Sequence, residues 1–513
     1  MADIVLATIN AKYIHASFGL RYLRANLGEL RGRSEIVEFT LGDRTLDIAE
    51  RILARRPRIL GLGVYIWNAV QSRELVALLK RIRPDLTIVL GGPEVSHESE
   101  DQEIVRMADH TVCGEGDLAF RDLCRRLLAG EASGPRVLAA PVPKLDEIAL
   151  PYEEYLDEDV RHRLIYVEVS RGCPFECEFC LSSLDIPVRA FPLERFLESM
   201  EMLLGRGVLH FKFVDRTFNL HLPTSRSILE FFLERLRPGL FLHFEMIPDR
   251  LPEGLRCLIE RFPAGTLQFE VGIQSFDTEV TARISRRQDL GRLEDNFRFL
   301  RERTGVHVHA DLIAGLPGEE EAGFGAGFDR LVALGPQEIQ VGILKRLRGT
   351  PIKRHDAEWG MVYSAEPPYE ILRNRLIDFG AMQRLRRFAR TWDLVGNSGN
   401  FVQTLGLFWE GAVSPYAEFM RFTGWFHERE GRHHALALVR TMERVFEYLT
   451  TERALPARRV AEALWTDYRR GGRTEMPPFL RTQLPDVPTG ATLRHGTEAP
   501  RTALRQARHR GEG

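Results

Sequence analysis

The segment "LIYVEVSRGCPFECEFC", residues 164–180, joins an apolar strand pattern to a group of cysteines. Cys173, Cys177 and Cys180 follow the strand at Cys-x3-Cys-x2-Cys spacing, which surrounds one small volume with soft thiolate ligands. A structural zinc site needs a fourth ligand close by, and the nearest downstream histidine is His210. A four-iron cluster held by three cysteines keeps one iron open for a ligand. An iron–sulfur cluster is therefore favoured over zinc and over unligated cysteines.

Further apolar strands follow this segment, with room for a crossover helix between each pair. The patterns are "LHFKFVD", "FLHFEMI", "LQFEVGIQS", "VHVHADLIAGL" and "EIQVGILK". Together with the first strand they predict a partial (β/α)6 barrel. The cysteines then lie in a loop at the C-terminal ends of the strands, where such folds keep their active sites.

The N-terminal part of the chain alternates short apolar strands with amphipathic helices. Its strand patterns are "DIVLATI", "EIVEFT", "ILGLGVYI", "TIVLGG" and "HTVCGEG". This alternation predicts βαβ units and a doubly wound parallel sheet, buried on both faces. Ligands of such sheets lie at the strand C-termini, which here carry "YIWN", "GGPE" and "CGEGD".

The chain is expected to divide into five parts. We predict an α/β domain at 1–135, a proline-rich linker at 136–160, a barrel at 161–355, a helical domain at 356–478 and a disordered tail at 479–513. Aromatic residues of the helical domain, such as Trp392, Phe408 and Trp409, line a pocket or form its core. Cys124 and Cys257 lie in apolar helical patterns and are expected in cores, as is Cys113.

Composition limits the class of function. The 513 residues are 44% hydrophobic and 28% charged, with a formal charge of −2, so a nucleic-acid surface is not indicated. The most apolar window, "ILGLGVYIWNAV", is too short to span a bilayer, so no membrane association is expected. "MADIVLATIN" has no basic segment before its apolar run, which indicates a cytoplasmic protein rather than a secreted one.

The cysteine loop, with Phe179 before the third cysteine, resembles the radical S-adenosylmethionine (SAM) superfamily over roughly residues 160–350. The resemblance implies a [4Fe–4S] cluster whose open iron binds SAM, and an external one-electron reductant of the flavodoxin or ferredoxin type. It also implies reductive cleavage of SAM to a 5′-deoxyadenosyl radical. "VGIQSFDTEVTARISRRQ" is similar to the matching stretch of the coproporphyrinogen-type radical enzymes, but "VDRTFN" lacks the family's glycines. The SAM contacts that the resemblance implies are Phe179, Asp215, Arg216, Thr217, Glu245, Gln274, Arg286, Asp311 and Ile313.

A flavodoxin-like sheet ahead of such a barrel resembles the cobalamin-binding subclass of this superfamily. The loop "NAKYIHASFGL" departs from the Asp-x-His-x-x-Gly pattern, so His15 is expected to be a satisfied loop or core histidine rather than a cobalt ligand. Tyr65 or Trp67 either covers the lower face of cobalt or packs in the core. The implied cobalamin contacts are Tyr65, Trp67, Asn68, Gly91, Gly92, Pro93, Glu94, Glu115 and Gly116.

The two cofactors together imply methylation of an unactivated carbon in a substrate that the sequence does not identify. A rearrangement or cyclisation enzyme with cobalamin in a non-methylating role remains an alternative. So does a protein that binds cobalamin or senses redox state without turnover. A tRNA methylthiolating enzyme is disfavoured, because that family carries three more N-terminal cluster cysteines and ends in a small β-barrel, whereas this chain ends in helical patterns.

Overall fold

The fold is described by a computed structural model that covers residues 2–132, 134–432, 436–486 and 501–510. Two parallel sheets follow one another along the chain, and a helical region comes after them. No helix in the described part of the chain combines the length and the apolarity that a bilayer crossing requires.

The first sheet has the strand order β2-β1-β3-β4-β5-β6, and all its neighbours are parallel. The flavodoxin-like order 2-1-3-4-5 is thereby confirmed, with one more strand at the edge. Every residue of the first strand is buried, as expected for a sheet covered on both faces. The strands are β1 (Ile4–Asn10), β2 (Ser34–Thr40), β3 (Ile59–Gly63), β4 (Thr87–Gly91), β5 (His110–Cys113) and β6 (Val137–Ala139), and the helices are α1 (Phe18–Ala25), α2 (Thr45–Leu53), α3 (Ala69–Ile82), α4 (Glu103–Met107) and α5 (Asp117–Ala129).

The predicted linker begins one strand too early. β6 lies inside the expected linker and pairs with β5 at the edge of the sheet. Three residues are too few to show an alternating pattern, so the sequence could not reveal this strand. The rest of the segment lies against the first sheet and contains the short helix α6 (Asp157–His162).

The second sheet has the order β14-β13-β12-β11-β10-β7, again parallel throughout. This confirms the partial six-stranded barrel. The strands are β7 (Ile165–Val167), β10 (His210–Phe213), β11 (Phe241–Met246), β12 (Leu267–Gln274), β13 (His307–Ala314) and β14 (Glu338–Ile343); a small hairpin pairs β8 (Ser170–Arg171) with β9 (Arg189–Ala190); and the helices are α7 (Leu193–Gly205), α8 (Leu222–Glu234), α9 (Glu253–Ile259), α10 (Thr278–Arg283), α11 (Leu290–Arg303) and α12 (Glu321–Leu334).

The two faces of this sheet differ in polarity. Phe211, Phe213, Phe244 and Phe269 are buried in the apolar core that the strands share with the surrounding helices. The alternate positions are polar and form rows across the strands, because side chains alternate between faces and the strands are in register. One such row consists of Glu245, Glu270, His309 and Glu338. The inner face of the barrel is therefore a charged surface.

The C-terminal region is mainly helical and packs against the edge strand of the barrel through α14. Trp392 and Phe408 are buried within an aromatic core that includes Phe328 and Phe419, and Trp409 packs at its margin. The elements are β15 (Val362–Tyr363), β16 (Ile371–Arg373), α13 (Asp356–Trp359), α14 (Phe379–Val395), α15 (Val402–Trp409), α16 (Pro415–Glu430), α17 (Leu438–Thr451), α18 (Ala457–Arg470), α19 (Pro478–Gln483) and α20 (Arg501–Arg510).

Parts of the predicted tail are ordered. The helix α19 lies within it, and α20 packs against the barrel, where Arg505 forms ion pairs with Glu338 at 3.1 Å and Asp393 at 2.8 Å. These contacts join residues far apart in sequence, so local composition could not predict them. Residues 487–500 and 511–513 of the expected tail lie outside the described residues.

The cysteines outside the cluster loop have different surroundings. Cys124 is buried in the core of the first domain, as predicted, and Cys113 is partly buried. Cys257 is exposed on α9, with its sulfur 3.5 Å from Glu253 Oε1, so the expectation of a core position was wrong.

A buried ion-pair cluster fixes the first sheet to the segment that leads into the barrel. Arg21 on α1 contacts Glu38 on β2 at 3.0 Å and Asp159 on α6 at 2.7 Å. Arg163 also reaches Glu38, at 2.7 Å. Burial alone would lower the pKa of Arg21, but the neighbouring carboxylates outweigh it and raise that pKa. Arg21 therefore keeps its charge in this interface.

Replacement of Arg21 by methionine leaves two buried carboxylates with one fewer cation. We expect Arg21→Met to destabilise the folded chain by about 3–5 kcal/mol. Arg33→Met, which removes the half-exposed ion pair between Arg33 and Asp3, is the control and costs under about 1 kcal/mol. Urea unfolding monitored by circular dichroism measures both. Equal midpoints for the two variants would contradict the structural role of Arg21.

Candidate active site

The cysteine loop leaves the first barrel strand as predicted. Cys173 and Cys177 are buried and Cys180 is partly buried, and all three line a cavity of about 240 Å³. The two ends of the loop are tied together, since Cys173 N donates to Asp185 O at 3.0 Å. Gly172 has φ +93°, and a Cβ there would lie 2.6 Å from Asp185 O, so this close approach requires glycine.

Two arginines stand beside the thiols. Arg286 Nη1 lies 3.4 Å from Cys177 Sγ, and Arg216 lines the same cavity. Burial raises the pKa of the Cys173 thiol, and the charge of Arg216 acts in the opposite direction. The cations thus favour the thiolate form that metal ligation requires.

The donor set fits a cluster better than a single ion. Across the described ranges, no three histidine, cysteine, aspartate or glutamate side chains converge closely enough to hold one metal ion. Around one zinc ion, thiolates lie at about 2.3 Å from the metal and therefore close to one another. In a four-iron cluster each thiolate binds a different iron, so the sulfurs lie farther apart. Cys173, Cys177 and Cys180 line one cavity without converging on a single point, which fits a cluster.

Glu178, between the second and third cysteines, anchors the loop to the rest of the barrel. Its carboxylate accepts hydrogen bonds from Ser285 Oγ at 2.6 Å, Arg354 Nε at 2.8 Å and His355 Nε2 at 2.9 Å. Burial alone would raise its pKa, but these hydrogen bonds outweigh burial and lower it. Glu178 thus fixes the backbone that carries the cysteines. Sequence reasoning did not assign it a role, because its partners lie more than 100 residues away.

The resemblance implied that Asp215 contacts SAM, but its side chain does not line the cluster cavity. Its carboxylate is buried and accepts hydrogen bonds from Ser170 N at 2.6 Å, Ser170 Oγ at 2.5 Å and Val169 N at 3.1 Å. Burial raises the pKa of Asp215 to about 7. The residue is absent from the lining of the cluster cavity, and it holds the junction of strand and loop instead of facing a cofactor.

Its two neighbours in sequence do line the cavity. Thr217 is buried, and Arg216 donates to both oxygens of Glu245, at 2.9 and 3.0 Å. The Arg216–Glu245 pair therefore lies at the strand ends next to Cys180. There it can bind a polar molecule that ligates the cluster.

Gln274 and Asp311 supply the clearest sign of a missing ligand. Among the described residues, neither Gln274 Oε1 nor Asp311 Oδ1 has a hydrogen-bond partner, although both atoms are buried. His309 Nε2 lies 3.4 Å from Asp311 Oδ1 without hydrogen-bond geometry. Burial and the charges of Glu270 and Glu245 raise the pKa of Asp311. Buried polar atoms without partners are costly, so they indicate a ligand that satisfies them.

The backbone at Gln274 is shaped around this cavity. Gln274 has φ +72° and follows a β-bulge between Gly272 and Gln274. A non-glycine residue in this region is strained and points its side chain in an unusual direction. Arg286 donates to Gly272 O and Gln288 Oε1 from the next loop. The bulge thereby brings a carboxamide and a guanidinium to the cluster.

The remaining predicted SAM contacts fall around two adjoining cavities. Phe179, Gln274 and Asp311 line both the cluster cavity and a larger one beside it, whereas Ile313 lines only the larger one. The donor set of carboxylates, amide and arginine matches the ribose hydroxyls, the amino group and the carboxylate of SAM. The cavity residues thus fit this cofactor.

A second cavity, of about 250 Å³, lies at the C-terminal ends of β3, β4 and β5. A Cβ on Gly92 would lie 2.5 Å from Val64 O, so the strand-end turn needs glycine there. The predicted contacts Tyr65, Gly91, Glu115 and Gly116 also line the cavity. The walls of this cavity are largely apolar, and its glycines leave the backbone uncovered. This shape fits the nucleotide tail of cobalamin, because side chains at the glycine positions would occupy the space that the tail needs. The lining glycines are Gly19, Gly61, Gly63, Gly91, Gly92, Gly114 and Gly116.

Trp67 and Asn68 have other roles. Trp67 stacks on Tyr65 with centroids 4.5 Å apart, and its indole N–H donates to Ile9 O at 3.1 Å. Asn68 is fully buried and bonds only to the protein, accepting from Tyr65 N and donating to Ile9 O. Neither lines the glycine-rich cavity, and their contact with cobalamin stays a prediction. Asn68 shapes the loop that presents Tyr65.

Glu94, Pro93 and His15 also lie outside the lining. Glu94 is buried, accepts from Arg348 Nε at 2.9 Å and from Tyr369 Oη at 2.5 Å, and so bridges the first domain to the segment after β14. Pro93 is exposed. His15 Nδ1 lies 2.7 Å from Tyr166 Oη, and burial lowers its pKa. His15 thus has a hydrogen-bond partner within the protein.

The two cofactor cavities share one loop. Arg171 and Asp185, which flank the cysteine loop, line the glycine-rich cavity of the first domain. Arg171 binds Glu115 at 2.8 Å and Asp117 at 2.9 Å from that domain, and Glu168 at 2.9 Å from its own. The cysteine loop thus also forms part of the wall of the glycine-rich cavity.

Three family models match separate parts of the chain. A B12 binding domain matches residues 4–124, and the radical SAM superfamily matches residues 167–329. A model described as a protein of unknown function, DUF4080, matches residues 357–493. The order of these domains is the one predicted from the sequence.

Curated relatives and a solved structure agree with these matches. 2-(S-pantetheinyl)-carbapenam-3-carboxylate methyltransferase of Streptantibioticus cattleyicolor is 27% identical over 318 residues, 55% of this chain and 46% of that protein. The cobalamin-dependent radical SAM methyltransferase TokK of Streptomyces tokunonensis is 26% identical over 331 residues, 56% of this chain and 47% of that protein. The chain spans about half the length of these relatives. The cobalamin-dependent SAM radical enzyme OxsB, solved with aqua-cobalamin and SAM, has the same fold at TM-score 0.61 and 14% identity, over 94% of this chain and 83% of that chain.

The glycine-rich cavity yields a direct test. Gly91 has an ordinary backbone, and a Cβ there would lie 3.8 Å from Val112 O, so valine is tolerated by the fold but fills the cavity. We expect Gly91→Val to weaken cobalamin binding about tenfold or more, as overpacking of a fitted site does. Visible absorbance after reconstitution measures bound cobalamin. Gly32→Val, where nothing lies within 4 Å, is the control. Full cobalamin content in Gly91→Val would contradict this site.

Cluster ligands, SAM-fitting groups and a glycine-lined cobalamin cavity thus occur in one chain, in the order of the matched domains. Its cofactors are a [4Fe–4S] cluster, SAM and cobalamin. The chain thus contains a B12 binding domain followed by a radical SAM domain, and it is similar to a cobalamin-dependent radical SAM methyltransferase.

Proposed function

We propose that this protein is a methyltransferase that places a methyl group on an unactivated carbon of its substrate. The observation that carries the proposal is the loop common to both cavities: Arg171 and Asp185 at its ends line the glycine-rich cavity, and the three cysteines between them line the cluster cavity. Both curated relatives named above are methyltransferases, which supports the same reaction. When bound, the cofactors supply a 5′-deoxyadenosyl radical for hydrogen abstraction and a methyl group for transfer.

The protein's own residues hold and align these groups. Cys173, Cys177 and Cys180 bind the cluster, with Arg286 and Arg216 as neighbouring cations. Among the described residues, Gln274 and Asp311 each have a buried side-chain oxygen without a hydrogen-bond partner, which can bind SAM. The carboxylate of Glu245 can accept hydrogen bonds from the hydroxyl groups of SAM. We propose these residues, rather than Asp215, as the SAM contacts. When two reactants are held in a fixed alignment, their bimolecular reaction becomes effectively unimolecular.

Each turnover would need two electrons from outside the chain, one to cleave SAM and one to return the cobalamin to the reduced state that accepts a methyl group. Each turnover consumes one SAM as methyl donor, leaving S-adenosylhomocysteine, and one as radical source, leaving 5′-deoxyadenosine and methionine. The substrate exchanges a C–H bond for a C–C bond. We propose a small flavodoxin or ferredoxin as the one-electron donor, acting in a reducing compartment that keeps the described cysteines as free thiols.

Product analysis under strict anaerobiosis tests the proposal. Protein reconstituted with cluster and cobalamin receives methyl-labelled SAM and reductant, and both 5′-deoxyadenosine and S-adenosylhomocysteine are quantified. We expect both products, with label recovered on the cobalamin. Cys177→Ala should abolish 5′-deoxyadenosine, whereas Cys257→Ala, at an exposed cysteine outside the site, should leave it unchanged.

Other product patterns would overturn the proposal in defined ways. 5′-Deoxyadenosine without S-adenosylhomocysteine would indicate a rearrangement or cyclisation enzyme. Neither product, from protein that holds both cofactors, would indicate a binding protein.

A further inference from the structure

A cavity of about 1040 Å³ lies next to the cluster cavity on the barrel side. Phe179, Gln274 and Asp311 line both cavities, so a molecule in the larger one reaches the residues around the cluster. The larger cavity extends along β13 and β14, the open edge of the partial barrel. Its size suits a molecule larger than the adenosyl group.

The outer wall of this cavity comes from the C-terminal domain. Arg386, Arg390 and Asp393 of α14 face it, and residues three and four apart share one side of a helix. α14 packs against β14 and β16 and so holds this face against the barrel. The helix belongs to the segment matched by the model of unknown function. The structure therefore gives that domain a place at the active site.

Most charges in the cavity neutralise one another. Arg386 pairs with Glu370 at 2.6 Å, and Arg505 pairs with Glu338 at 3.1 Å and Asp393 at 2.8 Å. These two arginines and three carboxylates are held in ion pairs and together carry a formal charge of −1.

Two cations differ from the rest. Within the described ranges, neither Lys345 nor Arg390 forms an ion pair within 4.0 Å, and both line the cavity. Lys345 follows β14 directly, and Arg390 lies opposite on α14. Among the described residues, the cavity thus has one cation without an ion-pair partner after β14 and one on α14, while the carboxylate of Asp311 lies at the end that it shares with the cluster cavity.

We propose that this cavity binds the methyl acceptor and that Lys345 and Arg390 bind an anionic group, a carboxylate or phosphate, of that acceptor. This inference rests on the proposed function and specifies its substrate class. A guanidinium binds such groups through two parallel hydrogen bonds, and an ammonium adds a point charge. The anionic end lies at the C-terminal domain, and the carbon to be methylated points toward Phe179 and Gln274.

Pyridoxal 5′-phosphate is a suitable probe, because its aldehyde forms a Schiff base with a lysine amine while its phosphate needs nearby cations. Borohydride fixes the adduct, and peptide mass spectrometry locates it in the reconstituted protein. Lys353, an exposed lysine outside the cavity, reports nonspecific labelling. The other lysines of the chain, which compete for the label, are Lys12, Lys80, Lys144, Lys212 and Lys353.

We expect Lys345 to label about tenfold faster than Lys353, and Arg390→Gln to remove that preference. Arg384→Gln, on the same helix but outside the cavity, is the matched control and should not change it. Protection of Lys345 by inorganic phosphate would identify a phosphate ligand, and stronger protection by succinate a carboxylate.

Equal labelling of Lys345 and Lys353, or a preference that survives Arg390→Gln, would overturn the inference. Labelling requires no turnover, so its outcome is independent of the product assay. A failed product assay with selective labelling would reject the methyl transfer and retain the anion site. A successful product assay without selective labelling of Lys345 would support methyl transfer and reject an anionic substrate.

Discussion

One buried guanidinium joins the two halves of this molecule. Arg171 directly precedes the turn into the cluster loop and binds three carboxylates, Glu115, Asp117 and Glu168, from both sides of the domain junction. Its side chain is 12% exposed, and Tyr22 stacks against it. Buried charges persist only when they are paired, because their separation from water is costly. The loop that carries the cysteines is therefore fixed relative to the first sheet, and the two cofactor cavities are fixed with it.

The fold was largely predictable because hydrophobic patterns determine strands and helices. The strands of both sheets, their parallel pairing and the position of the cysteine loop followed from apolar runs such as "LIYVEVS" and from the crossover lengths between them. Short elements such as β6 escaped detection, since three residues carry no period. The helix α20 escaped because its contacts with Glu338 and Asp393 connect distant parts of the chain.

The site was less predictable, because sequence places a residue at a strand end without giving the direction of its side chain. Arg216 and Thr217 face the cavity, whereas their neighbour Asp215 turns back to bind the backbone of Val169 and Ser170. Asn68 and Glu94 likewise stand in cofactor-type loops but hold the protein together. Lys345 and Arg390 lie 45 positions apart, and only the packing of α14 on the barrel edge brings them to one cavity.

The central claim is that one loop holds two cofactors within reach of each other, and spin relaxation tests it most directly. In protein loaded with both cofactors, the reduced cluster should shorten the relaxation time of the cobalt(II) signal in pulsed electron paramagnetic resonance. The same protein with the cluster oxidised supplies the reference. A cobalt relaxation time that is identical in both states would show that the two cofactors are magnetically isolated and would contradict their placement on either side of the loop from Arg171 to Asp185.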